Sequence, residues 1–282
     1  MRALSSRVGV RAAALASAAL MAGALAACGD SEDPQELSFD VSTKGKASTI
    51  AAPESAEAGV AEITLNNESD SEADLQLIRI EGDHSAEEVV EGLGKAIEGQ
   101  PFPDWFFAAG GVGTTGPGKS ATVSQVLQPG TYYAFNTETQ GPPDPKAATS
   151  TEVTGEASDD ELAEGEGTVE AGEYAFQADT LPSGTNEIAF DNIGAQPHHL
   201  LASRLIGDAT AEDVEKFFKT EKGKPPLSEK GTQSTAVVEG GEGQVVTLDL
   251  EPGRYALYCF ITDRQGGPPH ALKGMVDEVE VE

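Results

Sequence analysis

Sulfur, imidazole and positive charge are all scarce in this chain. Its 282 residues include two cysteines, three methionines, four histidines and one tryptophan. Two cysteines allow one disulfide at most, which excludes a small fold stapled by several bridges. Lys and Arg total 18 against 48 Asp and Glu, for a formal charge of −30. So acidic a surface repels phosphate, which excludes nucleic acid and anionic lipid as partners. No apolar run reaches the roughly 20 residues that a membrane-spanning helix needs. A glycine-rich phosphate loop is also missing, Ser203 has no evident base partner, and the acids of 158–166 read as solvated linker. Nothing here predicts an enzyme.

What is present begins with a leader. Arg2, Arg7 and Arg11 precede a short Ala/Leu-rich stretch, Ala12 to Leu25, and then Leu25-Ala26-Ala27-Cys28. This order predicts a signal peptide over 1–27, and its last four residues resemble a bacterial lipobox. The resemblance implies cleavage before Cys28 and a diacylglycerol on its sulfur, with anchoring at the outer face of the cell membrane. An ordinary secretory cleavage is the alternative. Residues 1–27 carry three arginines and no acid, so their removal takes the formal charge from −30 to −33.

The chain repeats itself. Glu62-Ile-Thr-Leu-Asn-Asn67 matches Glu187-Ile-Ala-Phe-Asp-Asn192, and Arg79-Ile-Glu-Gly-Asp83 matches Arg204-Leu-Ile-Gly-Asp208. Leu127-Gln-Pro-Gly-Thr-Tyr132 matches Leu250-Glu-Pro-Gly-Arg-Tyr255, and Gly141-Pro-Pro143 matches Gly267-Pro-Pro269. A conserved order at a near-constant offset predicts duplication of a whole domain. The boundaries read as a tether over 28–36, a first domain over 37–154, an acidic linker over 155–168 and a second domain over 169–282. The linker's acids predict an extended, self-repelling segment that gives the second domain reach.

Within each copy the apolar period is two. Val246, Leu248 and Leu250 alternate with polar residues, Pro252-Gly253 predicts a hairpin turn, and Tyr255, Leu257 and Cys259 share the next strand's inward face. A last strand is predicted over Val276–Val281. One segment per copy is helical instead, Ala86–Ile97 and Ala211–Lys219, each behind a capping box led by Ser85 or Thr210. The fold class is therefore all-β: two tandem β-sandwiches, each with one inserted helix.

Once Cys28 is set aside, Cys259 is a lone thiol in an exported protein, where cysteines normally pair. Each residue around it has an ordinary account. Cys259 serves as a small buried hydrophobe, Met275 as core filler, His270 as a loop residue bonded to a carbonyl, and His84 and His199 as surface, with an exchange of roles between His199 and His198 as the alternative. Together they place the mature chain's one methionine, its free thiol and three of its four histidines in the second domain. Asn192-Ile-Gly-Ala-Gln-Pro-His198, then Tyr258-Cys259, His270 and Gly274-Met275 before a closing strand, resemble the ligand segments of cupredoxins. The resemblance covers 186–282. It implies Greek-key sandwiches and one copper, with His198 and His270 as equatorial nitrogens, Cys259 as thiolate and Met275 as weak axial sulfur. It departs from the family in the ten residues between Cys259 and His270, more than the usual loop. The first copy aligns Ala73, Asn136 and Asp144 where the second has His198, Cys259 and His270, so it cannot form such a site. Its Trp105-Phe-Phe107 reads as core or rim packing, with an aromatic patch for a partner or ligand as the alternative.

The expectation is a lipid-anchored, extracytoplasmic copper-binding or electron-transfer protein, meeting a cationic redox or copper-delivery partner. Four histidines are too few for a multicopper oxidase centre. The competing expectation is a surface protein whose sandwiches serve as interaction modules without metal.

Overall fold

The structure is a computed structural model that describes residues 34–44, 47–139, 144–228 and 230–282. The leader, Cys28 and Gly141-Pro-Pro143 lie outside the described residues. The first half contributes β1 (Gln35–Lys44), β2 (Ala47–Ala51), β3 (Ser55–Glu57), β4 (Gly59–Asn67), β5 (Ala73–Ile80), α1 (Ala86–Ile97), β6 (Phe106–Thr115), β7 (Ser120–Leu127), β8 (Gly130–Phe135) and β9 (Thr149–Thr154). The second contributes β10 (Gly167–Gly172), β11 (Ala175–Ala178), β12 (Gly184–Asn192), β13 (Leu201–Arg204), α2 (Ala211–Thr220), β14 (Gln233–Ser234), β15 (Gly243–Leu250), β16 (Gly253–Tyr258) and β17 (Val276–Val281).

Alternating burial drives the layering. An eight-stranded sheet of order β11-β10-β12-β15-β7-β4-β1-β2 backs both halves. A five-stranded sheet, β3-β9-β8-β5-β6, belongs to the first half, and a four-stranded one, β14-β13-β16-β17, to the second. The protein is thus all-β, as its two-residue apolar period predicts. One core cluster runs between the layers: Phe39, Ile63 and Leu65 with Leu75 and Leu77, continuing through Ile188, Phe190, Leu248 and Leu250 to Leu257, Cys259 and Met275. Both helices start at complete capping boxes, Ser85 with Glu88 and Thr210 with Asp213.

Two expectations change. The halves do not swing on a free linker, because β15 pairs antiparallel with β7 over Gln244↔Gln125 to Val246↔Val123 and makes one sheet of both. Buried Gln244 Nε2 donates to Gln125 Oε1 at 2.6 Å and to the Gly111 carbonyl at 2.8 Å. The 155–166 stretch carries no regular element, yet Gln128 Nε2 donates to the Ser158 carbonyl at 2.7 Å and Glu187 N donates to Glu166 Oε2 at 2.8 Å. The acids of the stretch are exposed, while Glu166 N also donates to the Glu187 carbonyl at 2.7 Å, so the segment is held from both halves.

The second change concerns Pro252-Gly253, which makes no hairpin. β15 pairs with β12 and β7, whereas β16 pairs with β13 and β17. The turn carries the chain across the core, so that Leu248 and Leu250 face Tyr255 and Leu257 from opposite layers. A tyrosine ties each such corner: Tyr132 Oη accepts from Gln128 N and donates to the Gln128 carbonyl, both at 2.9 Å, and Tyr255 Oη accepts from Glu251 N at 3.1 Å. That is the physical content of the repeated Pro-Gly-x-Tyr motif.

Candidate metal centre

His198, Cys259 and His270 are brought together. Cys259 follows the end of β16 with no exposed surface, one residue beyond the Leu201↔Tyr258 pair. His198 lies in the β12–β13 connection, where it exchanges backbone hydrogen bonds with Val238 at 3.0 and 2.9 Å. Asn192 shapes that connection: its Nδ2 donates to the Gln196 and Val238 carbonyls at 2.8 and 3.1 Å, and its Oδ1 accepts from Gly194 N at 3.1 Å. Asn192 stood in the repeat against Asn67, which clamps Ser71 and Thr115 in the same way. The repeat was visible in the sequence; the clamp was not.

The long insert, 260–269, folds back on itself. His270 N donates to the Ile261 carbonyl at 2.8 Å and Ala271 N to the Cys259 carbonyl at 2.7 Å, which seats His270 at the start of a 3-10 turn, His270–Lys273, directly over the thiol. Its tip is fastened to the first half. Phe102 N donates to the Arg264 carbonyl at 2.9 Å, and the Arg264 guanidinium reaches the Phe106 carbonyl at 3.0 Å and Glu239 at 2.9 Å. At Gly266 (φ +76°) a Cβ would lie 2.7 Å from the Gly99 carbonyl, so only glycine permits this approach. The extra length therefore spans to the other half of the molecule while still returning the histidine.

The ligand atoms of His198, Cys259 and His270 all lie within 4.8 Å of one another, and all three residues are buried. Sγ of Cys259 is 3.7 Å from His270 Nδ1, which is 3.0 Å from His198 Nδ1. His270 Nε2 lies 3.0 Å from Asp263 Oδ1. With that Nε2–H donated, the neutral ring turns a bare Nδ1 toward the cluster. Asp263 is held in turn by Lys273 Nζ at 2.5 Å and Tyr174 Oη at 3.0 Å. Nothing in the sequence signalled Asp263 or Tyr174, because their partners are set by the insert's fold. Met275 is fully buried, and its N–H donates to the His270 carbonyl at 3.0 Å.

Burial dominates the electrostatics. It pushes the Cys259 thiol up to about 12. Burial, then the neighbouring His270, brings His198 down to about 4. Burial also lowers His270, against the opposing pull of Asp263. At Asp263 partial burial acts upward, but hydrogen bonds from Lys273, Tyr174 and His270 outweigh it and hold the carboxyl below its ordinary value. Both imidazoles are therefore neutral donors at pH 7. One thiol and two neutral imidazoles, with no carboxylate in the trio, form a donor set that suits copper or zinc rather than calcium or magnesium. Buried His198 Nε2 has no hydrogen-bond partner, so that ring is placed by its backbone bridge and the cluster alone.

The remaining singled-out residues separate from this site. His199, expected at the surface, is half-buried, and its Nε2 accepts from Phe260 N at 3.0 Å, because the insert closes over it. His84 stacks on Trp105 with ring centroids 3.8 Å apart. Phe106 is buried under α1, and Phe107 lies beneath Arg79 and Arg264. In the first half Asn136 caps local backbone and Asp144 caps a 3-10 turn. Among the described residues, no second group of His, Cys, Asp and Glu converges in this way.

No protein family pattern and no curated protein matches the chain. Solved structures with some likeness include a dithionite-reduced auracyanin from Roseiflexus castenholzii, 23% identical, covering 41% of this chain and 94% of that one at a TM-score of 0.28. An azurin from Methylomonas sp. strain J is 16% identical, covering 41% and 95% at 0.26. A multi-copper oxidase from Pseudomonas Thermotolerans is 15% identical, covering 90% and 69% at 0.27. Likenesses at these scores carry no argument about activity, so the reading of the site rests on its own atoms.

Proposed function

We propose that this chain is a copper-binding protein of the cupredoxin type, with one metal held by His198 Nδ1, Cys259 Sγ and His270 Nδ1 and with Met275 as the weak fourth ligand. The observation that carries the reading is the burial of a lone thiol and two imidazole nitrogens within 4.8 Å of one another. Copper bound there would supply one-electron chemistry. The chain's own residues do the rest. Cys259 would serve as the thiolate ligand. Asp263, braced by Lys273 and Tyr174, keeps the His270 proton on Nε2 and its Nδ1 free. The 260–269 insert, clamped by Arg264, excludes water and limits rearrangement of the ligands.

The finer proposal is a lipid-anchored carrier on the outer face of the cytoplasmic membrane, attached through Cys28. It acts in electron transfer or copper custody rather than as an enzyme. Its two halves are copies of one duplicated domain, of which the first lacks the ligand residues. The −30 charge and the partly exposed Phe260, next to Cys259, suit a cationic partner docking close to the thiol. Copper titration with removal of loosely held metal tests this directly. The expected result is one copper per chain, lost in His270→Ala and His198→Ala. Equal retention by both variants overturns the assignment and leaves the interaction-module reading.

A further inference from the structure

Between α1 and the 260–269 insert lies a second feature, a cavity of about 410 Å³. That volume falls in the range of small-molecule pockets. Its inner wall is apolar, formed by Ile78, Leu93, Phe102 and Phe106. At its mouth stand Ile97 and Phe260, two of the four large apolar side chains exposed on the described surface. Set into this wall is the Asp74 carboxylate. Thr137 donates to it through N at 2.5 Å and through its hydroxyl. Among the described residues no lysine or arginine lines the cavity, Asp74 makes no ion pair, and the other acid there is Glu98. His199 offers no charge either, since its neutral ring accepts from Phe260 N.

A partly exposed carboxylate at the edge of an apolar chamber, with no cation paired to it among the described residues, favours a cation that can reach it. We propose that this cavity binds a small organic cation, with an apolar ring-sized body in the chamber and a single ammonium group against Asp74. Thr137 meets both carboxylate oxygens with one hydrogen bond each, which leaves each oxygen further acceptor capacity, and Asp74 keeps solvent-accessible surface. Burial pushes the Asp74 carboxyl up to about 6, against the hydrogen bonds from Thr137. The acidic surface raises the local concentration of cations at the mouth. The proposal is independent of the metal centre, although Phe260 and Pro269 adjoin two of its ligands.

Isothermal titration with tryptamine, and with its neutral isostere tryptophol, tests the idea near pH 7.5 at physiological ionic strength, with EDTA present so that no metal ligates the amine. Saturable 1:1 binding of tryptamine is expected, about tenfold or more tighter than tryptophol. Asp74→Asn, which keeps an acceptor for Thr137, brings tryptamine to the tryptophol level. Ala96→Phe, which fills the chamber, abolishes both, whereas Glu57→Gln, a remote surface change, alters neither. Equal affinity for amine and alcohol in the unmodified protein overturns the proposal without reference to any variant's folding. So does absence of saturation, or equal loss in Glu57→Gln and Asp74→Asn.

Discussion

Replacing Arg264 with alanine probes the joint between the two halves. Its guanidinium bonds Glu239 at 2.9 Å and the carbonyls of Pro103 and Phe106 at 3.2 and 3.0 Å, and it lies over the Phe107 ring at 5.0 Å from the centroid. Both ion-pair partners are well covered, at 19% and 12% side-chain exposure. Truncating one partner of such a pair strands the other charge, at a cost of about 3 kcal/mol, the lower end for buried pairs given the residual exposure. In a folded unit of this size that lowers the melting temperature by about 6–12 °C. Burial already pushes the Glu239 carboxyl upward, opposed chiefly by Arg264, so the deficit should shrink as pH falls and Glu239 takes a proton. The double variant Arg264→Met with Glu239→Gln should recover about half, because no stranded charge remains while two carbonyls still lack a donor. Denaturant unfolding and calorimetry read all three proteins. A loss below about 1 kcal/mol for Arg264→Ala, or one that grows toward low pH, refutes the reasoning.

Three further outcomes follow from single contacts. Asp74 holds its proton more tightly in the folded chain than when unfolded, so stability is greatest below pH 4 with respect to this group and falls as pH rises to about 6; the loss is at most about 3 kcal/mol, less what cavity water screens, and Asp74→Asn should remove that component from unfolding curves taken across the window. Tyr132→Phe should cost more than Tyr255→Phe, about 2 against about 1 kcal/mol in denaturant midpoints, because Tyr132 both donates and accepts while Tyr255 only accepts. Asp263→Ala should weaken copper about 10–100-fold in chelator competition through loss of the His270 tautomer lock, with Asp263→Asn losing less; an unchanged affinity in Asp263→Ala refutes that role.

The sequence carried the all-β class and both helices, because each is written in local terms, whereas the grouping of His198, Cys259 and His270 came as an expectation from the cupredoxin resemblance and the fold brings the three together. Alternation marks a half-buried strand, and a capping box marks a helix start. Strand partners were not legible. Val246–Leu250 and Tyr255–Cys259 have the same alternation whether they pair as a hairpin or face one another across a core, and only the Tyr255 corner bond decides. The fusion of the halves hides in Gln125 and Gln244, polar residues that look like solvent-facing positions until they bond one another. The insert's length looked like an obstacle to the site. Its purpose, docking Arg264 onto the first half, depends on residues about 160 positions away in the chain. His199 and Asp263 were missed for the same reason: their surroundings are made by the folded insert, not by their neighbours in sequence.

The central claim is that the buried thiol and two imidazole nitrogens hold one copper. Visible absorption after adding Cu(II) to the purified protein tests it most directly. One equivalent should produce an intense band that is absent in Cys259→Ser, whose fold is otherwise retained by far-UV circular dichroism. A colourless mixture, or a band that survives loss of the sulfur, would contradict the account.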